Sequence, residues 1–172
     1  MPVLKIAEGG EGIAIRESLA ILTYLDKKYP EPPLLGQSAL ETAKIWQTIS
    51  ELESYLTPVL AKFGRIFLFG NDEDKAKQLP ALADEVLKEL RVVEDTLSSS
   101  SYLVGEALSG ADVVLFPHVM LLSRIASKEE FAAFGIDVNP VSEHFPGIQA
   151  WVKRIESIPG YERTYPPHWR ES

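Results

Sequence analysis

The sequence predicts a mainly α-helical chain that opens with a short β-hairpin and one helix and continues as an all-helical body. Three observations carry that expectation. Two β-rich apolar runs, Val3–Ile6 and Ile13–Ile15, flank the Gly-rich stretch 8–12. From Leu19 onward the apolar residues recur at spacings of three and four, the helical period. Pro30, Pro32 and Pro33 then separate the first helix from the rest, because proline lacks an amide proton and clashes with a preceding turn.

The chain has 172 residues, room for one ordinary domain or one domain plus a fragment. Hydrophobic residues make up 45%, enough for a sizeable core. No apolar run approaches the ~18–20 residues of a membrane span, so no membrane is expected as a partner. The start, MPVLKIAEGGEG, lacks the apolar stretch of a secretory signal, and the cytoplasm is the default compartment. Without cysteine the chain can form no disulfide, zinc–thiolate site or thiol nucleophile. A net charge of −8 repels a phosphate backbone, and Lys27–Lys28 is the longest basic run, so nucleic acid is not expected as a partner.

The elements follow in order. Leu19, Leu22, Leu25 and Tyr29 share one face of the first helix. Ser38 caps the next, with Glu41 completing a capping box, and Ile45, Ile49, Leu52, Leu56, Val59, Leu60, Phe63 and Phe67 trace its buried face. Pro58 predicts a kink or break in it. Residues 70–74 read as a turn before a helix with the stripe Leu82, Val86, Leu90, Val93 and Leu97; Pro80 fits that helix's first turn or a bend. Residues 98–101, four serines, form a polar loop. Ser109 and Asp112 form a capping box, with Leu108 and Val113 placed as its hydrophobic staple. The helix they open, VVLFPHVMLLSRI, is apolar nearly all round and should be buried centrally. A short segment ending at Gly135 follows. A last helix opens near Pro146 and stops before Pro159-Gly160, and the aromatic tail packs back on the body.

Few residues invite a chemical reading. Glu17-Ser18 stands where a helix begins, so free amide protons and the positive dipole end favour a carboxylate there. Ser18 can donate a further hydrogen bond and Glu17 can accept one from an ammonium. The pair suits the zwitterionic end of an amino acid; a plain helix cap is the other reading. Ser109 and Asp112 are read as structural. No metal is expected, since His118, His144 and His168 show no ligand spacing. On its apolar helix, His118 reads as a packed core histidine.

Several ordered segments resemble the glutathione transferase family. They are Pro2-Val3-Leu4; Ile15-Arg16-Glu17-Ser18-Leu19-Ala20-Ile21 with Tyr24-Leu25 and Tyr29-Pro30; Leu103-Val104-Gly105-Glu106 with Ser109-Gly110-Ala111-Asp112; and Phe145-Pro146, Trp151 and Ile158-Pro159-Gly160. The resemblance covers essentially the whole chain. It implies the last two strands and helix of a thioredoxin-like α/β glutathione-binding domain over residues 1–33, followed by the family's all-helical C-terminal domain over 38–172. It also implies glutathione as co-substrate, held by Pro2, Val3, Glu17 and Ser18, with Pro2 matching the family's cis-proline. The same resemblance implies a small-molecule electrophile lined by Tyr55, Val59 and Phe63, and a homodimer with the helix after Ser18 and the one beginning near Ser38 close to its interface.

One departure matters. The family's first strand, helix and second strand would precede Met1, and with them the Tyr, Ser or Cys that activates the thiol. No residue here takes that role, so no catalytic residue is assigned. The resemblance then favours a longer natural protein; a short form that no longer catalyses and a rearranged dimer are the alternatives. Two functions follow. One is conjugation of glutathione to electrophilic small molecules, a detoxification chemistry. The other is a catalytically inactive, transferase-like module for protein assembly or regulation. With its neighbours absent, the hairpin has an unpaired edge and should be the least stable part.

Overall fold

The computed structural model describes residues 2–7, 12–127 and 144–169. The expectations for the Met1–Pro2 bond, the tip of the hairpin and the segment ending at Gly135 lie outside the described residues.

Strands β1 (Val3–Ile6) and β2 (Ile13–Arg16) pair antiparallel, with Val3 opposite Arg16 and Ile6 opposite Ile13. Ile6 is buried, while Val3 on the other face and Ile13 opposite Ile6 stay about half exposed. Helix α1 (Ser18–Lys28) leaves β2 almost at once. Its expected apolar face is only half used. Leu19 and Leu22 pack on the core, whereas Leu25 and Tyr29 are exposed, because a two-stranded sheet is too small to cover the far end of the helix. The most buried α1 side chain is instead a charged one. Asp26 Oδ1 accepts from the backbone N–H of Leu34 at 2.8 Å and Leu35 at 3.1 Å, fixing the proline-rich connector against α1.

Ser38 caps α2 (Ala39–Glu51), its Oγ accepting from Glu41 N–H at 3.2 Å. The Glu41 carboxylate reaches one residue further back than the expected box and accepts from Gln37 N–H. A π turn, Leu52–Leu56, then widens the helix before α3 (Thr57–Phe69). This is where Pro58 acts: it has no N–H to return to the preceding turn, and the widened turn accommodates its ring without ending the helix.

Residues 72–74 are helical, not a turn. Asn71 caps α4 (Asp72–Leu97), its side chain accepting from Asp74 N–H at 2.8 Å. Three acids in the first turn lie where the helix dipole favours them. The helix runs through Pro80, which lies well past its first turn. Hydroxyls of Ser98, Ser99 and Ser100 bond carbonyls of the last turn, so the serine run closes α4.

Helices α5 (Gly110–Ala126) and α6 (Pro146–Glu156) complete the body, with α3 on α4, α2 and α3 on α5, and α4 on α6. Ile49, Phe63, Val86, Leu115, Ile148 and Trp151 form the centre of one continuous core, each at most 1% exposed. Helix α5 is central but not buried all round: Val113 is 40% exposed and Leu121 38%. No helix among the described residues is long and apolar enough to cross a membrane.

The start of α6 is capped from another helix. Phe145 offers no side-chain cap, and both oxygens of Glu94 on α4 accept from the backbone N–H groups of Gly147 and Ile148, at 2.7 and 2.8 Å. A Cβ on residue 147 would meet that carboxylate at 3.0 Å, so glycine permits the approach. Glu94→Ala removes both acceptors from a partly buried helix end. A loss of about 1–3 kcal/mol is expected, read as a lower urea midpoint with unchanged slope. Glu94→Gln should lie between, since the amide keeps one acceptor.

Candidate functional site

The turn from β2 into α1 is strained. Glu17 has φ of 72° and ψ of 125°, the only positive φ at a non-glycine residue among those described. Such a conformation costs on the order of 1–3 kcal/mol, and residues that keep it cluster at binding sites. It turns the chain from β2 into α1. Glu17 stands at the N-cap position of α1, and its side chain makes no cap hydrogen bond there.

Glu17 and Ser18 open onto a cleft of about 480 Å³ between α1 and the helical body. Leu19 and Leu22 form its floor on one side. Across it stand Glu53 and Thr57, one from the π turn and one just beyond it, and Val113, Val114, Pro117 and His118 from α5. The Thr57 hydroxyl donates to Glu53 at 3.3 Å. Thus the cleft has a polar end, two carboxylates and hydroxyls, and an apolar wall from α5.

Three contacts hold its sides in place. The first is the pair of Asp26 bonds to the connector. The second is the Gly110 N–H, which donates to Leu34 O at 2.6 Å and ties the connector to the start of α5. The third is the capping box at that same start. Asp112 is completely buried, and its Oδ2 accepts from the backbone N–H and hydroxyl of Ser109 at 2.8 and 2.7 Å. Its Oδ1 accepts from Leu103 N–H and from the indole of Trp151, both at 2.9 Å. Ser109 and Asp112 therefore carry structure, not chemistry.

The sequence-derived site residues are only partly brought together. Val3 lies across the hairpin from Arg16, next to the Glu17 turn, and Pro2 precedes it; neither lines the cleft. Tyr55, Val59 and Phe63 do not line it either. Phe63 is fully buried in the core, Val59 packs against it, and Tyr55 is 62% exposed on a separate groove between α2 and α4. Glu53 and Thr57, not Tyr55 and Val59, line the cleft opposite α1. His118 is half-buried on the cleft wall, not in the core. Burial pushes its pKa below the ordinary imidazole value, and the Glu53 carboxylate partly opposes this. A clue lay in the sequence: a single imidazole beside Pro117 on a helix otherwise apolar.

The tail builds its own aromatic pocket of about 190 Å³ with Phe116, Met120, Tyr161, Tyr165 and Trp169. Edge-to-face ring contacts run from Trp151 through Phe116, Tyr161 and Tyr165 to Trp169. Pro117 lines both this pocket and the cleft, so the two adjoin. A larger groove of about 740 Å³ runs between residues 38–48 and 103–107, away from the Glu17 turn. Among the described residues no three His, Cys, Asp or Glu side chains cluster as a metal site.

A hairpin-and-helix layer is set against an all-helical body, with a polar cleft at the start of the first helix. The chain belongs to the glutathione transferase family: the model of the glutathione S-transferase C-terminal domain matches residues 56–159. It is 29% identical over 168 residues to the probable maleylacetoacetate isomerase 2 of Drosophila melanogaster, covering 96% of this chain and 64% of that protein. It is 27% identical over 157 residues to glutathione S-transferase Z2 of Arabidopsis thaliana, covering 90% and 64%. Among solved structures, the glutathione transferase YghU of Streptococcus pneumoniae, complexed with glutathione, aligns with a TM-score of 0.75 at 18% identity, covering 95% of this chain and 59% of that one. The chain spans just under two thirds of the length of the two curated relatives.

Proposed function

We propose that this chain forms the γ-glutamyl grip and the electrophile-facing wall of a glutathione-conjugating enzyme acting as a homodimer in the cytoplasm. The observation that supports it is the strained Glu17 turn, which starts α1 with Glu17 and Ser18 on the lining of a cleft shared with α5. A helix start holds the γ-glutamyl carboxylate and Glu17 accepts from its ammonium. Pro2 and Val3, beside that turn, extend the grip along the peptide. Val113, Val114 and Pro117 give the apolar surface an electrophile needs. Leu40, Tyr55 and Val92, each more than 60% exposed, supply apolar area for the dimer face.

The names of the relatives raise isomerisation of maleylacetoacetate as a second chemistry. Its substrate is a dicarboxylic acid, and the cleft already holds Glu17 and Glu53, so a neutral electrophile is the better fit.

The test is calorimetric titration of the full chain with S-methylglutathione. Ser18→Ala removes one hydrogen bond to a charged group, worth about 1.5–3 kcal/mol, so affinity should fall roughly 10–100-fold. Equal affinity in the variant, or no binding by the folded protein, overturns the reading.

A further inference from the structure

We propose that the hollow beneath the C-terminal tail binds a single uncharged aromatic ring. The proposal does not depend on glutathione: this hollow and the Glu17 cleft share only Pro117 among their described lining residues.

The chain builds the hollow by folding back on itself. Gly160 takes a φ of 92°, which glycine adopts freely, and the tail then lies against α5. Phe116 and Met120 line the hollow from the helix; Tyr161, Tyr165 and Trp169 line it from the tail. All of these side chains are half-buried, so apolar wall still faces solvent, and covering it drives binding. The volume is about 190 Å³. An apolar cavity of roughly 150 Å³ is enough to hold benzene, whereas drug-sized ligands need about 300 Å³ or more. The hollow therefore suits one ring and a small substituent.

The walls select an aromatic guest. Phe116 and Tyr161 stand at 88° to one another, Tyr161 and Tyr165 at 69°, and Tyr165 and Trp169 at 86°. Rings set nearly at right angles offer both faces and edges to an entering ring, contacts that a saturated ring of the same size cannot match. The Met120 thioether adds a soft contact that adapts to the guest's outline.

The walls also select against charge. Among the described residues no charged side chain lines the hollow. Its polar atoms are engaged within the protein. The Thr164 hydroxyl donates to Tyr161 O at 2.7 Å, and the Tyr161 hydroxyl is hydrogen-bonded to Glu156. A charged guest would give up its hydration without a partner. From outside the lining, Arg124 fixes the far wall: Nη1 donates to Trp169 O at 3.2 Å, and the guanidinium lies 5.1 Å from the centre of the Trp169 ring. A wall held in this way leaves little to order when the guest arrives.

The test is titration of the full chain with benzyl alcohol, cyclohexylmethanol and benzoate, followed by NMR. The indole N–H signal of Trp169, assigned with Trp169→Phe, should shift with benzyl alcohol at millimolar concentration. Benzyl alcohol should bind roughly 3–10-fold tighter than cyclohexylmethanol, the advantage of edge-to-face contact. Benzoate should bind weakest of the three. Trp169→Ala should weaken benzyl alcohol several-fold. Nuclear Overhauser contacts from the benzyl ring to Tyr165 and Trp169, measured on the unaltered chain, keep the test independent of how that variant folds. No shift in the folded chain, equal affinity for benzyl alcohol and cyclohexylmethanol, or ring contacts to Val113 and Val114 of the cleft in place of Trp169 would each overturn the proposal.

Discussion

Asp112→Ala is expected to leave the protein at the edge of unfolding. Four donors point at that one buried carboxylate: the N–H and hydroxyl of Ser109, the N–H of Leu103 and the indole of Trp151. They come from three parts of the chain, so the loss is felt by the loop before α5, by the start of α5 and by α6 together. Each donor left unsatisfied in the interior costs about 1–3 kcal/mol, and water enters such a site poorly. The sum is on the order of 4 kcal/mol or more, against a total stability of about 5–15 kcal/mol for an ordinary domain. Denaturation in urea, followed by far-ultraviolet circular dichroism, reads the change. Asp112→Asn should be milder yet still costly, since an amide nitrogen cannot accept the Ser109 N–H. A variant within 1 kcal/mol of the parent would show that the four bonds do not hold the helices together.

Gly110→Val should produce the second large effect, and a different one. A Cβ at residue 110 would stand 2.8 Å from Leu35 Cδ2 and 3.4 Å from both Leu22 Cδ2 and Leu34 O. Leu35 is 3% exposed and has nowhere to turn. Overpacking of this kind costs about 1–3 kcal/mol. The stress falls on the seam between the connector, α1 and α5, whose spacing sets the width of the Glu17–His118 cleft. Affinity for S-methylglutathione should therefore drop further than global stability alone explains, seen by comparing calorimetry with the urea midpoint. Equal S-methylglutathione affinity at a temperature where both proteins are folded would separate the seam from the site.

Much of the helical body was legible because its signals are local. Ser38, the Ser109–Asp112 box, the prolines at 30–33 and the stripe from Leu82 to Leu97 each act through the next turn of their own helix. Glu17-Ser18 was legible for the same reason: a helix start advertises itself in a few residues. Asn71 and residues 72–74 misled because the same acids suit a turn and the first turn of a helix. The cleft was harder. The resemblance placed Tyr55, Val59 and Phe63 on a pocket wall along one face of the helix. A single π turn at Leu52–Leu56 shifts the phase of every later side chain, and no spacing rule announces it.

Sequence was enough for the order of elements, the caps at Ser38 and Ser109, the all-helical body and the start of the first helix at Glu17-Ser18, since those follow from backbone propensity and neighbours in the chain. Packing in three dimensions chose the opposite wall of the cleft. Glu53, Thr57 and His118 lie far apart along the chain from Ser18, and Glu94 lies over fifty residues from the helix start it caps. Such partners meet only when helices cross, and the crossing is set by how buried side chains fill space between them, a property of the assembled core and not of any one segment.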